Sequence, residues 1–164
     1  MLNYNRKKQF NELGYIKNLP VFDKSEIIYL QKCFNEIIKL FPSDIHISRV
    51  NNWHKSNRWV YELCRTPSIL DYVEELIGSD IIHWAAHCFV KFPGDLTEVP
   101  WHQDAQYWPL NPSKTVTVWL AIFDTDESNA AMQVVKGSHS LDYDHQINEN
   151  EKMFILHRRP YFRV

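Results

Sequence analysis

Gly78 separates two hydrophobic periods, and that change of period limits the fold more than any other feature of the chain. Ahead of it, Asp23 stands three residues before Glu26, the spacing of a reciprocal helix cap. Ile27, Leu30, Phe34, Ile37, Ile38 and Phe41 then recur at helical intervals until Pro42 stops them. A second helix is expected from Thr66 as cap and Pro67 in the first turn, through Ile69, Leu70, Val73, Leu76 and Ile77, to Gly78 at its end. A short helical turn is expected between the two, over 58–63. Beyond Gly78, Ile82, Trp84, Ala86, Cys88, Val90 and Phe92 occupy alternate positions, the period of a strand whose faces meet different surroundings. Pro93-Gly94-Asp95 closes that segment in a turn; 99–104, 115–123 and 131–135 read as further strands, with a loop over 109–113. Helices followed by strands make an α+β order and exclude repeating βαβ units.

A chain of 164 residues, 45% hydrophobic and 23% charged, has the composition of one globular domain, so 1–164 is read as a single unit. A net charge of -2 offers no basic face to displace counterions from phosphates, and no nucleic-acid partner is expected. Arg6-Lys7-Lys8 is too short to change this and reads as a solvated N-terminal segment. No run reaches the ~18 apolar residues of a membrane span, and the N-terminus carries no apolar signal segment; a cytoplasmic location without a membrane partner is expected. Cys33, Cys64 and Cys88 are far apart and outside any C-x-x-C pair, which argues against a disulfide framework or thiolate zinc site and for buried free thiols. Only 4 glycines stand beside 9 Phe, 8 Tyr and 6 Trp, which excludes a glycine-rich phosphate loop. The chain turns polar from Asp142, and about four strands leave edges that need partners. The sheet therefore reads as unfinished.

The residues that point to chemistry are Trp101-His102-Gln103-Asp104. On a strand, His102 and Asp104 project from one face and aim an imidazole and a carboxylate at one point. Such a pair forms two corners of a 2-His-1-carboxylate facial triad on Fe(II). The spacing alone favours an ordinary His-Asp hydrogen bond. Asp142-Tyr143-Asp144-His145 also gathers metal-ligating side chains, but an acidic run of this kind reads as a solvated loop.

The pair is embedded in a longer pattern: Lys91-Phe92-Pro93-Gly94, Val99-Pro100-Trp101-His102-Gln103-Asp104, Tyr107-Trp108, Val116-Thr117-Val118-Trp119-Leu120-Ala121, Asn129 and Gly137-Ser138-His139. Phe10, Gly14-Tyr15, Pro67-Ser68-Ile69-Leu70-Asp71 and Leu76-Ile77-Gly78 extend it toward the N-terminus. Together these resemble the phytanoyl-CoA dioxygenase family of Fe(II)- and 2-oxoglutarate-dependent oxygenases. The resemblance implies N-terminal helices packed on a double-stranded β-helix (jelly-roll) core. It also implies dioxygen as co-reactant, decarboxylation of the cosubstrate to succinate, and hydroxylation of an aliphatic carbon in a small organic substrate. His102 and Asp104 match the first two iron ligands, and the carboxylate of Asp104 favours hydroxylation over halogenation. His87, Gln103 and Trp119, with Arg49 more loosely, match positions around 2-oxoglutarate. Trp101, Tyr107, Trp108 and Trp119 supply an apolar lining. Gly137-Ser138-His139 matches a structural turn, and His139 is not expected to bind iron.

The family's third ligand is a late histidine, followed by an arginine that grips the distal carboxylate of 2-oxoglutarate. No matching pattern follows His139, and the last core strands and the completed iron site are expected to be missing. His157, with Arg158, Arg159 and Arg163 nearby, is the one late substitute, and Pro160 counts against a core strand there. Set against a catalytic reading is a non-catalytic binding or oligomerising module whose strand edges pair with another copy.

Overall fold

The structure is a computed structural model that describes residues 1–95, 99–104, 108, 110 and 114–141. Four α-helices occur among the described residues: α1 (Tyr4–Leu13), α2 (Lys24–Leu40), α3 (Arg58–Cys64) and α4 (Pro67–Ile77). The chain divides into two compact units. One is built from Asn18–Phe92 and Val118–Ala131, the other from Leu2–Lys17, Pro93–Thr117 and the described residues from Met132 on. The expected acidic loop 142–145, the segment around His157, Tyr107, and all of the expected 109–113 loop except Leu110 lie outside the described residues.

In the first unit the helix signals hold. The Asp23 carboxylate accepts from the Glu26 amide at 2.9 Å, and the Glu26 side chain accepts from the Asp23 amide at 2.7 Å, so both orphan donors of the first turn of α2 are satisfied. Thr66 stands at the N-cap of α4, Pro67 opens it and Gly78 ends it at φ 96°, but the Thr66 side chain makes no capping bond to α4. Its hydroxyl turns back to donate to the Leu63 carbonyl at 2.8 Å, in the last turn of α3. Phe34 of α2, Ile47, Trp53 and Val60 of α3 form the buried cluster. Burying each stabilises the unit by roughly 1.5–3 kcal/mol. Phe41 packs on Trp53 at 5.5 Å between ring centroids, and Phe123 meets Phe34 edge-on at 5.9 Å. The Gln31 amide donates to the Ile122 carbonyl at 2.9 Å and fixes the later segment along α2.

The strand expectations need correction. Among the described residues no strand forms over 82–92, 99–104, 115–123 or 131–135, and the double-stranded β-helix core is not seen. An antiparallel bridge joins Asn51 to His87. In the same register the Ser48 hydroxyl accepts from the Val90 amide at 3.1 Å and donates to the Val90 carbonyl at 3.3 Å. Nearby, the Trp53 amide donates to the Ala86 carbonyl at 3.2 Å. The alternation holds over 86–90, where Ala86, Cys88 and Val90 pack on the helical cluster while Phe89 between them is 62% exposed; Ile82, Trp84 and Phe92 of the same period are exposed. The period reports which side chains face a core. It does not report whether the backbone finds a ladder partner, which is a non-local matter.

In the second unit, α1 is a helix the apolar pattern does not announce. Asn3 caps it, accepting from the Arg6 amide at 2.9 Å, and Gly14 ends it at φ 81° with its amide on the Phe10 carbonyl. A 3-10 turn, Ser138–Ser140, starts from Gly137 at φ 77°, and the Gly137 amide donates to the Leu13 carbonyl at 2.9 Å.

Candidate metal centre

His102 and Asp104 meet as their spacing requires. The His102 Nε2 lies 3.2 Å from the Asp104 Oδ1, and the two side chains are 25% and 29% exposed. The other atom of each group is held from behind. The His102 Nδ1 is 2.7 Å from the Pro100 carbonyl, an acceptor only, so Nδ1 carries a hydrogen, and Nε2 faces the Asp104 carboxylate, to which it donates when the ring is protonated. The Thr117 hydroxyl donates to the Asp104 Oδ2 at 2.6 Å and leaves Oδ1 facing the imidazole. A ring fixed through its far nitrogen and a carboxylate fixed through its far oxygen are the arrangement that metal ligands require of their neighbours.

The electrostatics agree. The hydrogen bond to Asp104 raises the His102 pKa against the opposing effect of burial, with the Pro100 carbonyl adding to the rise. The same hydrogen bond lowers that of Asp104, burial works against it, and Thr117 lowers it further. The pair stabilises positive charge between its two inner atoms, and a divalent cation satisfies that preference as a shared proton does. The donor set, one imidazole nitrogen and one carboxylate oxygen, suits Fe(II). Among the described residues no group of three or more His, Cys, Asp or Glu side chains is placed to hold a metal.

Gln103, between His102 and Asp104 in sequence, is buried at 7% exposure. Its amide nitrogen donates to the Ser138 carbonyl at 3.0 Å and the Leu141 carbonyl at 2.7 Å. The His139 Nε2 hydrogen-bonds the Asn11 carbonyl at 3.0 Å.

The other expected cosubstrate positions, His87, Arg49 and Trp119, fall in the first unit. His87 Nδ1 is hydrogen-bonded to the Asn51 side-chain oxygen, and its Nε2 is buried without a partner. Burial lowers its pKa, partly offset by a backbone hydrogen bond with Ser48, so the ring is neutral. Arg49 is exposed and ends the 3-10 turn Ile47–Arg49, next to the segment bridged to His87. Trp119 is 39% exposed. Thr117 and Pro100 were missed as site residues. A carbonyl two residues before a histidine is legible in retrospect, whereas the reach of Thr117 across 13 residues is not.

The chain is similar to known proteins. The family model for phytanoyl-CoA dioxygenase (PhyH) matches residues 14–156. Peroxisomal phytanoyl-CoA dioxygenase of Mus musculus is 31% identical over 104 residues, covering 60% of this chain and 30% of that protein. A probable phytanoyl-CoA dioxygenase of Caenorhabditis elegans is 33% identical over 87 residues, 49% of this chain and 28% of that protein. A probable alpha-ketoglutarate-dependent hypophosphite dioxygenase of Stutzerimonas stutzeri is 29% identical over 136 residues, 82% of this chain and 44% of that protein. The chain thus spans less than half the length of these relatives. No solved structure matches it.

Proposed function

This chain belongs to the phytanoyl-CoA dioxygenase family, and from that premise we propose that it carries the His-x-Asp half of an iron and 2-oxoglutarate centre in an oxygenase that hydroxylates an aliphatic carbon of a small organic molecule. The observation that carries the reading is the back-braced pair: His102 Nε2 facing Asp104 Oδ1, with Nδ1 held by Pro100 and Oδ2 held by Thr117. In this reading the pair belongs to a jelly-roll core.

His102 and Asp104 hold the metal as neutral imidazole and carboxylate. When bound, iron and 2-oxoglutarate supply the oxidising chemistry, in which dioxygen is consumed, the cosubstrate loses carbon dioxide to give succinate, and a C–H bond becomes C–OH. The protein's part is to fix ligand direction before the metal arrives, which Pro100 and Thr117 do, and to leave the remaining coordination positions free. His87, Trp119 and Arg49 are assigned to the surroundings of 2-oxoglutarate on the family pattern, as is Gln103, whose side-chain nitrogen braces the ligand segment.

The test is a titration of the full chain with Fe(II) under anaerobic conditions, followed by 2-oxoglutarate. His102→Ala and Asp104→Ala are each expected to abolish saturable metal binding while leaving the helical circular dichroism intact. Unchanged binding in either variant would refute the assignment.

A further inference from the structure

Gln103 lies between the two proposed ligands, so whatever holds its side chain also holds the backbone that aims them. Its one amide nitrogen reaches carbonyls at both ends of a short turn, Ser138 at 3.0 Å and Leu141 at 2.7 Å, and it does so buried. That turn is itself fastened to α1 at two points. The Gly137 amide donates to the Leu13 carbonyl at 2.9 Å, and the His139 Nε2 donates to the Asn11 carbonyl at 3.0 Å. Both acceptors lie in the last turn of α1, where helix geometry leaves carbonyls without intrahelical partners. The imidazole approaches so closely that a Cβ on Gly14 would fall 2.5 Å from Nδ1 and 2.6 Å from Cγ. Gly14 is thus required twice, by its φ of 81° and by the ring against it. Each link joins groups far apart in sequence, and all of them lie within one unit.

We propose that Gln103 and His139 are positioning residues which couple the C-terminal end of α1 to the His102/Asp104 pair, so that docking of α1 sets the metal affinity of that pair. This rests on the metal-centre reading above and adds to it a regulating element outside the site. Coupling of this kind is reciprocal: if seating α1 strengthens metal binding, metal binding strengthens the seating of α1 by the same factor.

The experiment uses the full chain with Co(II) as an air-stable stand-in for Fe(II). Gln103→Glu keeps the shape and removes both donors, and it is expected to weaken Co(II) binding by about tenfold or more, as loss of outer partners of metal ligands does. Gly14→Ala, which dislodges His139, is expected to act in the same direction. The double variant should lose less than the product of the two single losses, because both cut one chain of contacts. In the wild type, saturating Co(II) should slow amide hydrogen exchange in the last turn of α1, and this protection should vanish in Gln103→Glu. A purely structural role for these residues would lower thermal stability without moving the metal-dependent exchange. Wild-type affinity in a folded Gln103→Glu, multiplicative losses in the double variant, or exchange in α1 indifferent to Co(II) would each overturn the coupling. Retained Co(II) binding in His102→Ala would instead overturn the reading of the site.

Discussion

Thr117 shows how much of the centre depends on a residue that would touch no metal. Its hydroxyl, 2.6 Å from Asp104 Oδ2, fixes the rotation of a carboxylate that would otherwise turn freely between its two oxygens. Thr117→Val keeps the branched shape and removes the donor, so its effect isolates the hydrogen bond. Metal affinity is expected to fall by roughly tenfold to a hundredfold, while Thr117→Ser should stay near wild type; isothermal titration of the two variants side by side checks this. The brace that Pro100 gives His102 is a backbone carbonyl, which no substitution deletes.

Among the elements, α3 is the one that most needs its cap. Seven residues are too few for a helix to hold in water by itself, yet α3 delivers Val60 to the buried cluster. Asn57 starts it, accepting from the Val60 amide at 3.1 Å. Asn57→Ala is expected to cost about 1 kcal/mol, seen as a lowered thermal midpoint, whereas Asn57→Asp should retain most of the stability. The same contrast explains what could be read from the sequence. α2 and α4 are specified by neighbours: Asp23 with Glu26, Pro67 and Gly78 at the ends of α4, and apolar residues three and four apart. α1 buries none of its own residues, so it leaves no apolar stripe, and only Asn3 and Gly14 mark its ends. The 82–92 alternation gave the inward residues over 86–90 but not at Ile82, Trp84 and Phe92, which are exposed, and it gave the wrong backbone pairing. At the site, His102 and Asp104 were legible because their geometry is set two residues apart. The His139–Asn11 contact spans 128 residues and leaves no local trace.

Across the whole molecule, acid should act in two stages. Burial, helped by the neighbouring His83 ring and Lys55, lowers the His54 pKa, and burial lowers that of His87; both fall below the ordinary 6.5. The unfolded chain therefore takes up protons at these rings before the folded one does, so their contribution is complete above pH 6.5 and shrinks as the pH falls below it. The capping carboxylates Asp23 and Asp126 are lowered from 3.8, first by their serine partners, so their contribution persists until the pH falls below that value. His102, raised by Asp104, runs the other way, and the informative quantity is a difference. The drop in thermal midpoint between pH 7.5 and 5.5 should be smaller in His54→Gln/His87→Gln than in the wild type; an equal drop would remove these rings as its cause. The Ser48 hydroxyl, finally, bears on the order of assembly. It clasps both polar groups of Val90 across 42 residues, and α3 and α4 lie inside that interval. Once those helices have formed, the loop left to close is far shorter than the open chain, and its entropy cost falls accordingly. The clasp is then a late event in folding, one that local helices make affordable and that fastens the alternating segment only after its core is waiting for it.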